Sequence, residues 1–361
     1  MGLLRFLLAI SVVIVHSSEA YGFRLVDSAI AVQSFYIISG FYMTLILKEK
    51  YIGANDSYKL FISNRFLRLF PIYWTVLILA VSYSIIQFLN TKGDGGTISL
   101  YVEYFNTMSW GSFFFLIFTN VLLFFQDIVM FMGLNTSTGH FFYTSNFQET
   151  TPQLWTFLFI PQAWTIGVEI TFYMLAPFLL RRKMKLILGV IALSLLLRAI
   201  LYFYFDLKFT PWTNRFFPTE LAFFLLGTTA YHIYKWVQTQ KINNRYLFVL
   251  WVAMIGASLI YNLLPFAHRG VIYLLLVFST MPFVFKLTQK SKIDNYIGNL
   301  SYPIYISHSL AIPLEAMLNI PTLGTLNIGV ITMTILLAVV LHEVVARRIE
   351  KIRQGRLKLS R

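Results

Sequence analysis

Residues 1–22 read MGLLRFLLAISVVIVHSSEAYG. Arg5 precedes an apolar run from Phe6 to Val15, and His16, two serines and Glu19 follow. Ser18 and Ala20 are spaced like a small-residue cleavage site. A secretory signal peptide has this form. So does the first membrane span of a protein that keeps it. The choice decides whether His16 is discarded or stays with the rest of the chain.

The remaining sequence favours retention. Of 361 residues, 57% are hydrophobic and 12% charged, against roughly 25% charged in a soluble domain. The mean hydropathy is +0.68. Apolar runs of span length recur along the whole chain, as in a multispan membrane protein. Such a protein can use its first span as its own insertion signal. The chain has no cysteine, which excludes disulfides, thiolate metal sites and cysteine nucleophiles. The formal charge of +14 suggests nucleic acid, but its distribution has a simpler explanation in membrane topology.

Spans are expected at roughly 3–17, 28–47, 69–89, 157–180, 186–205, 217–236, 247–265, 270–288, 297–318 and 326–346. With ten crossings and an inner N-terminus, the basic clusters all fall on the inner side. They are Lys48 to Arg68, Arg181 to Lys185, Lys235 to Arg245, Lys286 to Lys292, and the tail from Arg347. Only Arg24, Lys92, Lys208, Arg215 and Arg269 fall outside, as the positive-inside rule requires. An eleventh apolar stretch, 110–133, would reverse every later cluster if it crossed. It is therefore expected to be re-entrant or interfacial, with its irregular backbone shielded by helices. The expected fold class is all-α: a polytopic membrane protein with about ten transmembrane helices, both termini cytoplasmic, and one re-entrant or interfacial segment near 110–133. Residues 1–346 form the membrane domain. Residues 347–361 form a basic cytoplasmic tail, expected to be solvated or to face lipid headgroups.

Ionisable side chains inside spans cost about 2.5–3.5 kcal/mol on insertion scales, so they usually face a cavity or a partner. Arg5 and His16 are eleven residues apart, which on a helix puts them on one face about 17 Å apart. An ordinary positive flank and an interfacial histidine would give the same spacing. Glu169, in WTIGVEITFY, has Thr165 and Tyr173 one turn to each side. It reads equally as a carboxylate held by hydroxyls, a general base or a cation's partner. Ser301, His308 and Glu315 recur at seven-residue steps. Two turns of one straight helix separate them by about 10 Å, too far for a triad. Arg65 and Arg68, in NRFLR, make a fork for anionic oxygens or a simple inner anchor.

Taken together, several elements resemble the acyltransferase-3 family of integral membrane acyltransferases, whose members typically O-acetylate surface or secreted glycans. They are RFLLAISVVIVH, AVQSFYIISGF, NRFLRLFPIYW, AWTIGVEITFYMLAPFLL, RFFPTELAFFLLG and IGNLSYPIYISH, in this order. Ala31 stands where many members have Gly, and Gln33 where many have Asp.

The resemblance implies a membrane-embedded enzyme that moves an acyl group, most often acetyl, from a cytoplasmic acyl-CoA to a hydroxyl of a surface or lipid-linked glycan. It implies acetyl-CoA or another short acyl-CoA as donor, no metal and no nucleic acid. It also implies a location in the plasma (inner) membrane among lipids of the cell envelope. His16 would take the hydroxyl proton or carry the acyl group, Arg5 would hold the donor, and Glu169 would orient the reacting groups. Arg65 and Arg68, with Ser39 and Gly40, would serve the cofactor. Tyr173, Ser301 and His308 are further candidates for substrate contact or support. Candidate oxyanion donors are Ser39, Gly40, Ser301 and Arg5. Rival readings are a flippase for a lipid-linked saccharide and a scaffold with buried polar residues.

Overall fold

A computed structural model describes residues 1–17, 24–51, 58–265, 267–318 and 327–359. The chain is mostly helical, at 78%. Its helices are α1 (Gly2–Ser17), α2 (Ser28–Glu49), α3 (Tyr58–Asn90), α4 (Gly96–Glu103), α5 (Trp110–Leu122), α6 (Trp164–Leu179), α7 (Met184–Ala199), α8 (Phe217–Thr239), α9 (Asn244–Ile260), α10 (Arg269–Thr288), α11 (Lys292–Leu318), α12 (Ile328–Leu341) and α13 (Arg347–Leu359). Two short strands, β1 (Met132–Leu134) and β2 (Phe141–Tyr143), pair antiparallel with Gly133 opposite Phe142.

Six helical stretches among the described residues are long and apolar enough to cross a membrane: Ser28–Glu49, Tyr58–Asn90, Met184–Tyr204, Asn244–Leu263, Arg269–Thr288 and Ile328–Arg356. The other four expected spans also contain helices. Of these, α1 and α6 are 16 residues each, about 24 Å and shorter than a bilayer core. Polar residues such as Glu220 and His232 dilute α8, while Asn299, Ser301, His308 and Glu315 dilute α11. Of these, Glu220, Ser301, His308 and Glu315 are buried between helices.

Close backbone approach organises the bundle. A methyl on Gly40 would meet the Phe224 carbonyl oxygen at 1.8 Å, and one on Gly227 would meet that of Ile37 at 1.9 Å. Only glycine lets α2 and α8 pack this tightly. Likewise α1 lies against α11, with Gly298 close to Gly2. The main core gathers residues of α2, α3, α6, α8 and α10, including Phe41, Tyr73, Phe172, Phe224 and Met281. A second core joins Ala9, Ile10, Val13 and Ile14 of α1 to Leu300, Ile304, Val330 and Ala338. The first apolar run is thus a packed helix of the bundle. Asp294 accepts from the backbone N–H groups of Gly2 and Leu3 at 2.7 and 3.0 Å and so caps α1.

The stretch 110–133 is a short helix followed by a turn and irregular backbone. α5 ends at Leu122, and Leu123 and Phe125 take left-handed φ values of 63° and 66° that turn the chain back. The excursion begins and ends at one place, because the Gly139 carbonyl accepts from Ser109 N at 2.9 Å and from Ser112 Oγ at 2.7 Å. Its tip is anchored to α3: the Tyr73 hydroxyl donates to the Asn120 carbonyl, and Trp74 Nε1 to that of Val121 at 2.8 Å. Asn120 Oδ1 accepts from Phe159 N at 2.9 Å, so the irregular backbone is satisfied inside protein.

In the basic tail, α13 touches the first turns of α3, where Arg356 donates to Ser63 Oγ at 2.8 Å. Arg353 is 7% exposed. The unbroken helical run from α12 carries the tail past α3, with Arg353 turned inward and Arg347, Arg348 and Lys351 exposed.

Candidate active site

A cavity of about 480 Å³ opens among α1, α2, α3, α6, α11 and α13. Along α11 its lining runs from Asn295 to Tyr305, about 15 Å of helix. One end is rich in charge, with Arg5, Lys50, Arg68 and Glu350. The other is lined by Tyr36, Thr165 and Tyr305. Lys50 and Arg68 fall on the side that the charge distribution makes the inner one.

Four of the six residues expected to serve the donor or orient the reacting groups line this cavity, Arg5, Ser39, Arg68 and Glu169, and Tyr173 lines it beside them. Ser39 Oγ donates to Glu169 Oε1 at 2.5 Å, and the Tyr173 hydroxyl donates to the same oxygen. The carboxylate is therefore held by α2 and by its own helix. Thr165, expected one turn away on the same face, turns elsewhere and donates to the Tyr305 hydroxyl at 3.0 Å. Tyr305 in turn donates to the Gln162 carbonyl at 3.1 Å, tying α11 to the start of α6. Arg5 sits with its guanidinium 5.9 Å from the Tyr42 ring centre.

The structure moves four candidates away from the cavity wall. Gly40 faces α8, so its role is close packing. Arg65 is 3% exposed, its guanidinium 5.9 Å from the Phe61 ring centre, and its Nε is buried without a hydrogen-bond partner among the described residues. His16 and His308 lie past Tyr305, with ring centroids 5.0 Å apart and planes at 72°. Tyr305 faces the cavity on one side and its ring packs 5.9 Å from that of His308 on the other. Ser301 does line the cavity, but its hydroxyl is spent on the Gly298 carbonyl at 2.7 Å.

The protonation of His308 follows from its partner. Nδ1 lies 2.7 Å from the Tyr305 carbonyl, which only accepts, so Nδ1 carries the proton. Nε2 then presents a lone pair in the neutral ring, buried and without a partner among the described residues. Ser301, His308 and Glu315 make no contact with one another; Glu315 Oε2 accepts from Asn327 at 3.4 Å instead.

Arg215 is a residue that the sequence reading only counted as an outer charge. Its guanidinium lies 4.2 Å from the Trp164 ring centre, and its Nε is buried without a partner among the described residues. It is within Coulombic reach of His16, Tyr305, Tyr36 and Asp127. Burial lowers it to about 10, so it stays cationic at neutral pH. A quoted signal was present in NRFFPTE, but nothing in its spacing tells a buried arginine from an exposed one.

The family model described as an acyltransferase domain matches residues 1–343. The chain belongs to the acyltransferase-3 family. No match was found among curated proteins or solved structures. The acyltransferase is thus a helical membrane protein whose matched region contains every cavity-lining residue except Glu350 and Gln354 of α13.

Proposed function

We propose that this acyltransferase transfers an acyl group, most simply acetyl, from a cytoplasmic acyl-CoA to a hydroxyl of a surface or lipid-linked glycan. The observation that carries the reading is the order of groups along one path. Arg5, Lys50 and Arg68 stand at one end of the cavity, Glu169 stands within it, and Tyr305 separates its far end from the His16–His308 pair. A phosphate-bearing donor suits the basic end, and its narrow arm would carry a thioester toward the histidines.

Arg5 and His16 are about 17 Å apart along α1, too far to act on one carbonyl. Arg5 therefore serves the donor rather than the reacting carbonyl. At the far end, a neutral imidazole accepts the hydroxyl proton as the oxygen attacks the thioester carbon. The carbon–sulfur bond breaks, the ester forms, and the leaving thiolate takes up a proton. Ser39 and Ser301 have committed their protons to Glu169 and Gly298. Arg215, a buried cation whose Nε has no partner among the described residues, is the remaining candidate for the developing oxyanion.

The test is transfer of label from radiolabelled acetyl-CoA to candidate glycans by the purified protein. Transfer that is abolished in His16→Ala at unchanged folded yield supports the reading. Absence of transfer, with a lipid-linked sugar crossing liposomes instead, overturns it.

A further inference from the structure

A single side chain stands between the cavity and the histidine pair. Tyr305 lines the cavity, whereas neither His308 nor His16 does. The Tyr305 ring packs 5.9 Å from that of His308, which packs 5.0 Å from that of His16. Tyr305 and His308 are buried, while His16 is exposed. The three rings thus run in succession from the cavity to the surface. The Tyr305 ring is held from α6. Its hydroxyl donates to the Gln162 carbonyl at 3.1 Å and accepts from Thr165 Oγ1 at 3.0 Å. Gln162 also reaches back to α11, where Nε2 donates to the Ile306 carbonyl at 3.0 Å and to Ser309 Oγ at 2.6 Å. The turn that carries His308 is therefore clamped without help from the Tyr305 side chain. His308 itself is bonded to the backbone carbonyl of Tyr305. Rotation of the Tyr305 side chain would break its hydroxyl bonds and leave both the clamp and the imidazole in place.

We propose that Tyr305 is the partition between the donor cavity and the acceptor side, and that it decides whether the acyl group passes to a glycan hydroxyl or to water. Shut, its ring keeps water at the exposed His16 away from a thioester waiting in the cavity. Swung aside, it lets the thioester reach the histidines. With the ring gone, water takes the place of the hydroxyl. The water oxygen bonds to the acyl carbon, the carbon–sulfur bond breaks, and one water proton passes through histidine to the thiolate. The products are a free acid and a free thiol. Tyr305 is a positioning residue, because it acts by exclusion. Its control of the acyl acceptor rests on the proposed function; the partition itself does not.

Two measurements test this. The first is acetyl-CoA hydrolysis by the purified protein without acceptor, set against transfer with acceptor present. Tyr305→Ala is expected to raise the ratio of hydrolysis to transfer by about tenfold or more. Tyr305→Phe keeps the ring and removes its hydroxyl bonds, so a several-fold rise is expected, and this variant decides if Tyr305→Ala does not fold. A residue that only packs would lower both rates together and leave the ratio alone. The second measurement needs no activity and uses the absence of native cysteine. Ser39 lines the cavity, and an impermeant methanethiosulfonate reagent is added outside intact cells that carry Ser39→Cys. Labelling is expected to be slow with Tyr305 in place and several-fold faster when Tyr305→Ala or Tyr305→Phe is added. Equal labelling with and without Tyr305 overturns the partition, and transfer by the same protein then leaves the proposed function standing. Faster labelling at an unchanged ratio overturns control of the acceptor. Faster labelling in protein that neither hydrolyses acetyl-CoA nor transfers from it keeps the partition and overturns the acyl-CoA reading. Equal labelling without either activity overturns both.

Discussion

At the scale of single residues, the histidine pair divides into a fixed member and a less constrained one. The Tyr305 carbonyl anchors His308 through Nδ1, leaving Nε2 as its reactive edge. His308→Asn keeps a donor near the Nδ1 position and removes Nε2. Turnover should fall by tenfold or more, with the thermal midpoint of the purified protein nearly unchanged. A large drop in midpoint with proportionate loss of turnover would make His308 a packing residue. For His16→Ala, loss of a general base predicts a fall of about 10²–10⁴ in turnover. The histidine in RFLLAISVVIVH was legible because it stands alone at the end of an apolar run. Its pairing with His308 was not, since 292 positions of chain separate the two and helix periodicity says nothing of contacts across helices. Glu169 illustrates the same boundary. Tyr173 at i+4 was readable from one helix, while Ser39 came from another.

At the scale of elements, two contacts set the bundle. A side chain at Gly40 or Gly227 would push α2 from α8, so Gly40→Leu should lower folded yield in detergent. A selective rise in KM for the donor at full yield would instead restore a ligand-binding role to Gly40. Asp294 caps α1. Burial raises its carboxyl, but the Met1 ammonium and the N–H groups of Gly2 and Leu3 together hold it below the ordinary carboxylate value. A depressed folded-state value gives stabilisation that is present above the unfolded value and lost as pH falls through the folded one. The midpoint difference between wild type and Asp294→Asn should therefore be full at pH 7 and shrink below about pH 3.9. A difference that persisted unchanged in acid would show that the cap does not depend on charge. Helices α3 and α11 begin before their apolar segments, because polarity marks where a helix leaves lipid and not where it ends.

Across the whole molecule, the pair of Arg198 Nη1 and the buried Glu220 Oε1, 2.7 Å apart, ties α7 to α8. Arg198 Nη2 also donates to the Thr213 carbonyl at 2.6 Å. Arg198→Met should cost about 3–5 kcal/mol by leaving Glu220 uncompensated, and adding Glu220→Met should restore most of it. Denaturation of the single and double variants measures both. The absence of native cysteine makes topology directly measurable. With an impermeant maleimide, Ser137→Cys should label in intact cells, and Lys241→Cys only after lysis. The opposite pattern would invert the charge-based assignment of sides. That assignment rests on five basic clusters that agree. The contact of α13 with α3 was not legible, because an amphipathic basic helix looks the same in sequence whether it meets solvent, lipid headgroups or another helix.

The contact of Gly2 with Gly298 lies at the opposite end of α1 from His16, fourteen residues away, or about 21 Å. α1 is therefore a strut, held by a close glycine contact beside the basic mouth and by the second core along its far half, so it fixes the distance between the charged end of the cavity and the imidazole pair.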